Sequence, residues 1–533
     1  MENKGFKRLS VFVECSTEST PTVETVKNYI RILSQFGYNE LYLGLTEGYK
    51  IEGEPYFNYM RGGYTIEQLQ EMDACAKEYG IELIANIQVL GHLPFLKKYA
   101  VYTDMFDTNE VLLVDDERVY ALVEKMIATM AKGLSSRRLH IGMDECEYIG
   151  QGRYKNLHSE DEDGGELILR HLNRVNEIAK KYGYTLEIWG DMLSENKKSR
   201  LPAEEIKARI PEDIETIYWY YGPISEEDIS VKINDFLKTA TKVGYAGAGF
   251  KYCGFGPNNY LAEHTLFPQM SACKKIGIDH FMITLWSDHG GLCSIYSILP
   301  ALYVAAEFAR GEITDMSQTN KERFKEIVGI SYDEMYSLDL LNNPFQRPLD
   351  DFNSRSYWLL FDDVLTGNKH LMLTESTAER YAEIEKYYAS IDGGDFAPIF
   401  RMAQKLAKIF TTTSFIGRDI RTAYKAKDKK ELQEIIDNKL IPLKKDLEEF
   451  ADIYRVYWDH DNMAFGVDAL LTGLGAVNMR YSYTIARLRE YIASDRKVEE
   501  LEAELLPVGE ARATEDTFHE TRYSYLLSCC NII

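Results

Sequence analysis

From residue 9 to about residue 310, short apolar runs alternate with longer amphipathic ones, and no other feature of the chain narrows its possible folds as much. Parallel strands cannot be joined by a tight hairpin, so a run of strand, helix, strand in regular alternation is the pattern of parallel strands with crossover helices. Eight runs have strand character: Leu9 to Glu14, Leu41 to Gly44, Ile81 to Gln88, Leu139 to Met143, Leu186 to Trp189, Thr216 to Tyr221, Tyr245 to Phe250 and His280 to Trp286. The segments between them carry helix signals. After Thr20-Pro21, the residues Val23, Val26, Ile30 and Leu33 form one apolar stripe, and Thr65 with Gln68 has the spacing of a capping box. Gly37, Gly80, Gly133, Gly183, Gly244 and Gly277 stand between a helix and the next strand, where left-handed helix C-caps are expected. This pattern predicts an α/β fold, a (β/α)8 TIM barrel over residues 1–311. An open doubly wound sheet is the alternative. It would want a glycine-rich phosphate loop after an early strand, and no G-x-G-x-x-G or P-loop is present.

Ser297 to Arg310 reads as the last barrel helix, with Gly311 as its stop, and the strand signals then cease. Helix follows helix, most clearly at Glu375 to Ser390, Pro398 to Thr411, Lys429 to Tyr457 and Asp468 to Ala493, so residues 312–533 read as an all-α C-terminal domain. An apolar content of 45% is enough for one large core and a smaller one. The net charge of −23, with no basic block, argues against nucleic acid or an anionic membrane as a partner. Met1 to Arg8 leads straight into the first strand without an apolar stretch long enough for a signal peptide or a span, and a cytoplasmic location is expected. The eight cysteines show no C-x-x-C spacing, so neither a disulfide framework, a metal site nor a cofactor is indicated. The oligomeric state is left open.

In a barrel of this kind the chemistry lies at the C-terminal ends of the strands, and here those ends are rich. The stretch Arg138-Leu139-His140-Ile141-Gly142-Met143-Asp144-Glu145 runs from a buried strand into two adjacent carboxylates. Other acidic pairs, Asp116-Glu117 and Asp333-Glu334, sit in polar surroundings; the pair taken alone also fits a solvated strand end. Around it, strand one ends in Glu14, strand two leads to Glu47, strand three to His92, and strand five ends in Trp189. Strand six ends in Trp219, Tyr220 and Tyr221, strand seven leads to Phe250 and Tyr252, and strand eight ends in Trp286 followed by Asp288. Carboxylates ringed by aromatics make a pocket that can stack a pyranose and deliver a proton to it.

His140-x-Gly142-x-Asp144-Glu145 resembles the catalytic signature of the family 20 glycoside hydrolases, the β-N-acetylhexosaminidases. Gly91-His92, Trp189-Gly190-Asp191-Met192 and Trp286-Ser287-Asp288 match in the same order, and Glu52 to Gly62 resembles the bacterial branch that begins with the barrel and carries a helical C-terminal domain. The resemblance implies a retaining, exo-acting β-N-acetylhexosaminidase that uses the substrate's own 2-acetamido oxygen as nucleophile. It implies that Glu145 protonates the leaving oxygen and later activates water, while Asp144 holds the acetamide N–H as the oxazolinium ion forms. An apolar pocket beside Asp144 would raise the pKa of Glu145 toward that task. His92 would orient the pair. Trp189, Trp219 and Trp286 would line the sugar pocket, Tyr220 or Tyr252 would bond the acetamide oxygen, and Asp288 the sugar hydroxyls. Each has a structural alternative: barrel core for the tryptophans, a backbone-satisfied histidine for His92, a helix N-cap for Asp288. His140 reads as structural.

The chain also departs from the family pattern. Members carry an arginine just after the first strand that holds the terminal sugar's hydroxyls, whereas Glu14-Cys15-Ser16-Thr17-Glu18-Ser19-Thr20 contains none. Tyr220 stands where relatives tend to have aspartate, and Phe250 with Tyr252 where they tend to have tryptophans. A galacto-configured, otherwise modified or linkage-restricted hexosamine facing an acidic rim of Glu14, Glu18 and Glu47 is therefore expected, unless Arg61 or Arg153 reaches the site from a loop. A catalytically weak barrel that only binds glycans, and a metal-dependent hydrolase using His140, His92 and Asp144, are the rival readings. An intact acid speaks against the first and the lack of an H-x-H strand motif against the second.

Overall fold

The eight strand candidates all form, and they close on themselves: each strand pairs in parallel with the next, and the last with the first, in a closed eight-stranded barrel. This computed structural model describes residues 5–16, 19–158, 162–194, 200–252, 254–288, 291–346 and 355–506. The strands are β1 (Arg8–Glu14), β2 (Glu40–Gly44), β3 (Glu82–Asn86), β4 (Arg138–His140), β5 (Thr185–Trp189), β6 (Glu215–Trp219), β7 (Lys242–Ala248) and β8 (His280–Leu285). The barrel interior is filled by Phe12, Tyr42, Ile84, Trp189, Ile217, Ala246 and Met282, with Trp219 and Trp286 packed against them. Alternate residues of a strand face opposite sides, so these inward positions form a packed core and leave the strand ends for function.

β4 is shorter than the expected Leu139 to Met143. Its ladder stops at His140 because Gly142 and Met143 take left-handed backbone angles (φ +67° and +70°), which no strand can hold. The Thr65–Gln68 capping box is present, and Gly37, Gly80, Gly183 and Gly277 have the positive φ expected at helix ends. The other two glycines are different. Gly133 is the last residue of the helix Glu117–Gly133, and Gly244 lies within β7. At both, a side chain would press into a packed neighbour: Leu69 at Gly133, Ile217 and His280 at Gly244.

By contact the chain divides into two compact units. The first comprises Met1–Gly249, Ala262–Trp286 and Ala301–Thr319; the second comprises Phe250–Leu261, Ser287–Pro300 and Asn320–Ile533. The described part of the second unit beyond residue 320 is helical, its main elements being Thr377–Ala389, Ala397–Thr413, Ile441–Asp461 and Val467–Ser494. The single helix expected from Lys429 to Tyr457 is interrupted by a π turn at Ile436–Leu440. Pro442 lacks the N–H that a continuous α-helix would need there, and the wider turn absorbs the mismatch. Within this unit Asp339 is buried and accepts from the backbone N–H groups of Asn259 and Tyr260 (both 2.9 Å); burial pushes its carboxyl up to about 7. No described helix is long and apolar enough to cross a membrane.

Candidate active site

The loops after β3 and β4 are folded against each other by their glycines. Gly142 has φ +67°, and a side chain there would collide with the Gln88 amide; a side chain at Gly91 would come within 2.9 Å of the Asp144 carbonyl oxygen and the Cys146 sulfur. Residues close to these glycines bear the strain. His92, Met143 and Glu145 have φ of +55°, +70° and +51°, a region that residues with a side chain occupy at a cost of about 1–2 kcal/mol each. Such a cluster of left-handed residues marks a place where the surroundings hold the backbone for a purpose other than folding economy.

The result is one buried and one exposed carboxylate, side by side. The Asp144 side chain is 12% exposed, that of Glu145 51%. Both oxygens of Asp144 are engaged: Oδ1 accepts from Gln88 Nε2 at 3.0 Å, and Oδ2 lies 3.2 Å from His92 Nε2. Glu145 Oε2 stands 3.7 Å from the same imidazole nitrogen. Burial alone would lower the pKa of His92, but the charges of Asp144 and Glu145 and the hydrogen bond to Asp144 outweigh it and bring it to about 9. Burial would conversely raise Asp144, and His92 and Gln88 hold it below its usual range. At neutral pH the arrangement is thus an imidazolium on an ionised, buried aspartate, with an open glutamate alongside.

His140 is set apart from this chemistry. Its Nδ1 accepts from the Gly142 N–H at 3.1 Å, which fixes the proton on Nε2, and the Asn86 side-chain nitrogen is 2.7 Å from the same atom. Burial drives its pKa down to about 3, and its ring packs on Trp189 with centroids 4.4 Å apart. It is a neutral strut under the strand end. Among the described residues, no group of three or more His, Cys, Asp or Glu is arranged to hold a metal ion.

The aromatics divide into core and wall. Trp189 is 1% exposed and belongs to the barrel filling. Trp219 and Trp286 are partly buried above it, joined through Tyr221, which stacks on Trp219 (5.1 Å, 26°) and accepts from Trp286 Nε1 at 3.0 Å. Tyr220, one residue earlier, faces the other way: its ring lies under Lys232 of the helix Glu226–Phe236, as alternation along the strand end requires. Glu47 is buried and ion-paired to Arg61 at 2.5 Å, so it is no open rim carboxylate. Arg61 in turn lies over Phe95, whereas Arg153 pairs with Asp104. Glu14 accepts from the Ser16 hydroxyl, and Glu18 lies outside the described residues. Tyr252 and Asp288 belong to the second unit, Tyr252 buried beside Phe250 (6.0 Å) and Asp288 exposed.

Gln88, Asp191 and Tyr221 are part of the arrangement, although the sequence reading gives none of them a site role; Tyr221 is named there only as a strand end. Asp191 accepts from the Glu145 N–H at 3.0 Å and from Trp219 Nε1 at 3.4 Å, and so ties the acidic pair to the aromatic wall. It stood within the Trp189-Gly190-Asp191-Met192 motif. Gln88 carried a fainter signal, an amide inside the apolar run Ile87 to Leu90 that burial obliges to find partners.

Two family models cover most of the chain: "Glycosyl hydrolase family 20, catalytic domain" matches residues 20–219, and "Glycoside Hydrolase 20C C-terminal domain" matches residues 334–520. The chain belongs to glycoside hydrolase family 20. Among similar proteins, Hexosaminidase D of Homo sapiens is 25% identical over 301 residues, which is 53% of this chain and 60% of the human one. Hexosaminidase D of Bos taurus is 24% identical over 335 residues, 58% of this chain and 94% of the bovine one. The match thus spans less than two thirds of the human relative. Of solved structures, the GH20 exo β-N-acetylglucosaminidase from Vibrio harveyi in complex with N-acetylglucosamine is 16% identical, with 63% of this chain and 58% of that chain covered and a TM-score of 0.47. The β-N-acetylhexosaminidase from Bacteroides fragilis is 14% identical, with 62% and 72% covered and a TM-score of 0.48.

Proposed function

We propose that this family 20 glycoside hydrolase is a retaining exo-β-N-acetylhexosaminidase that removes a terminal β-linked N-acetylhexosamine from a glycan by substrate-assisted catalysis. The observation that carries the reading is the contrast between Asp144, buried and engaged at both oxygens, and the adjacent Glu145, open to solvent. An aspartate so engaged is a poor free nucleophile. It is well suited to grip an acetamide N–H and to stabilise the positive charge that develops when the acetamide oxygen attacks the anomeric carbon. Glu145 gives its proton to the leaving oxygen in that step and takes one from water in the next, as the oxazolinium ring opens. His92 keeps Asp144 ionised, and Trp219, Tyr221 and Trp286 offer aromatic faces to the sugar.

A panel of aryl β-glycosides tests the activity, and only those bearing a 2-acetamido group should turn over well. A thiazoline mimic of the oxazolinium ion should inhibit. Trapping of a covalent carboxylate ester by a fluorinated sugar, with no inhibition by the thiazoline, would replace substrate assistance by a nucleophilic carboxylate. For the terminal sugar we propose a galacto-configured, otherwise modified or linkage-restricted hexosamine over unmodified N-acetylglucosamine. The described part of the loop after β1 holds no arginine, and Arg61 is committed to Glu47 and Phe95. A kcat/KM for the plain N-acetyl-β-glucosaminide that equals or exceeds every other aminosugar would end this part of the proposal.

A further inference from the structure

β4 stops at His140, and in the turn that follows three backbone N–H groups are taken by side chains. The Gly142 N–H donates to His140 Nδ1 (3.1 Å), the Met143 N–H to Gln88 Oε1 (3.4 Å) and the Glu145 N–H to Asp191 Oδ2 (3.0 Å). Asp191 is the one carboxylate among these acceptors, and a carboxylate accepting from a peptide N–H makes a bond roughly twice as strong as a neutral one. The Glu145 carbonyl in turn accepts from the Glu147 N–H at 2.8 Å. Both main-chain polar groups of Glu145 are therefore engaged, at a residue held in the left-handed region (φ +51°), while its side chain stays 51% exposed.

Asp191 is itself fixed. It opens the 3-10 turn Asp191–Leu193 directly after β5, and its carbonyl accepts from the Ser194 hydroxyl (2.9 Å) and N–H (3.3 Å). Gly190, just before it, donates to the Ile217 carbonyl on β6 at 2.9 Å, and a side chain at Gly190 would collide with Phe236, so the turn lies close against the end of the helix Glu226–Phe236. The carboxylate stands between the two neighbours of β5. Oδ2 reaches the turn after β4, and Oδ1 accepts from Nε1 of Trp219, the last residue of β6, at 3.4 Å. Trp219 stacks on Tyr221, which accepts from Trp286 Nε1. One side chain thus anchors both the peptide of Glu145 and a ring of the aromatic wall.

A general acid has a requirement that this arrangement meets. Its carboxyl must point at the leaving oxygen, yet a strong hydrogen bond made to that carboxyl would compete for the proton it delivers. Anchoring the acid by its backbone aims the side chain and leaves the carboxyl open. We propose that Asp191 is a positioning residue for Glu145 and Trp219, and that it fixes with one group both the direction of proton delivery and the wall against which the sugar lies. The proposal rests on the exo-hexosaminidase reading, in which Glu145 is the acid. Asp191 acts through Glu145 and Trp219 and not on the substrate.

The test is how the loss in Asp191→Asn depends on the leaving group. Asparagine keeps the shape, but its amide offers oxygen to one of the two donors and turns an N–H toward the other. A dinitrophenyl N-acetyl-β-hexosaminide departs with little protonation, whereas a β-linked disaccharide of the same terminal sugar needs the acid. On the disaccharide kcat/KM should fall about 100-fold, the effect of misplacing a reacting group by about 1 Å, and on the dinitrophenyl glycoside about tenfold. Trp219→Phe removes one donor and keeps an aromatic face, and should lower kcat/KM about fivefold on both substrates alike. Should Asp191→Asn lose its thermal transition, Asp191→Glu, which keeps the carboxylate and shifts it by one methylene, is read by the same ratio of losses. Equal losses on the two substrates for the Asp191 variant of an active parent would overturn this role and leave the activity standing. A parent inactive on every aryl aminosugar would remove the hexosaminidase reading, and this role with it.

Discussion

The barrel of the first unit has a cluster of charged side chains at each end, and the two are built on opposite plans. At the N-terminal end, Arg8 pairs with Glu40 (2.7 Å), Glu187 (2.6 Å) and Glu215, and Arg138 pairs with Glu40 and Glu82 (both 2.6 Å). Tyr42 joins them, donating to Glu187 at 2.7 Å and accepting from Arg8 at 2.6 Å. Glu40, Glu187 and Glu215 are all but inaccessible, and their charges are answered on the spot. At the C-terminal end, two adjacent carboxylates share one imidazole, one of them faces water, and the backbone beneath them is left-handed. In the first cluster each carboxylate is ion-paired to an arginine. The second has an open carboxylate, and under the proposed function the difference separates a structural layer from a reactive one in the same barrel.

The contrast is sharpest under substitution. Glu145→Gln keeps the shape of the side chain and removes its proton, and should lower kcat by roughly 10²–10⁴-fold with the thermal transition unchanged. The loss should be greater on a natural disaccharide than on an aryl glycoside, whose leaving group needs little protonation. Equal, small losses on both would mean that Glu145 is not the acid. At the other end, Arg8→Ala removes the common partner of three buried carboxylates. It should cost about 3–5 kcal/mol of stability, read from a denaturant midpoint, with the activity of the folded fraction retained. A variant as stable as the parent would mean that this layer is not structural.

How the two ends read in the sequence follows from the same physics. The runs chosen as strands began at Leu9, Leu41, Leu139 and Thr216, each one residue after a charged residue, Arg8, Glu40, Arg138 and Glu215, that proves to be the first of its strand. A charge at the edge of an apolar run looks like solvent, and only the closure of the barrel brings these together from β1, β2, β4 and β6. The C-terminal end is more legible because its residues recur at strand ends and fall into motifs, and the structure brings Asp144, Glu145 and His92 together. The direction of individual side chains is not. Tyr220 and Tyr221 differ by one residue and hence by a face, and the register that decides between them is set by pairing to β7. Glu47 read as an open acid because its partner, Arg61, lies fourteen residues on in a segment with no regular period.

A smaller effect should come from the glycine beneath the acidic pair. Gly142→Ala must adopt φ near +67° and must push the Gln88 amide aside, at a cost of about 1–2 kcal/mol from the backbone alone. Gln88 is what holds Asp144 Oδ1, so kcat should fall by roughly one decade while KM changes less. An equal rise in KM with kcat intact would place Gln88 outside the reaction's electrostatics.

The mildest way to separate the two ends is pH, because they respond in opposite directions. The folded pKa of His92, about 9, lies above the ordinary histidine value, so its contribution to stability is fully present below about pH 6.5 and is lost as pH rises through about 9. Burial would raise Glu40 and Glu215, but His280 and Arg8 beside them hold both below the usual range. Their contribution is present above about pH 4.5 and is lost as pH falls. Acid should therefore unfold the protein from the structural layer, while mild alkali should dim activity before the fold is lost. If the imidazolium charge matters beyond the hydrogen bond it gives Asp144, kcat/KM should decline through about pH 9 to a lower plateau. His92→Gln keeps a donor for Asp144 without a titrating charge. It should lower the plateau and erase that alkaline limb; an alkaline limb at the same pH in His92→Gln would assign the titration to another group.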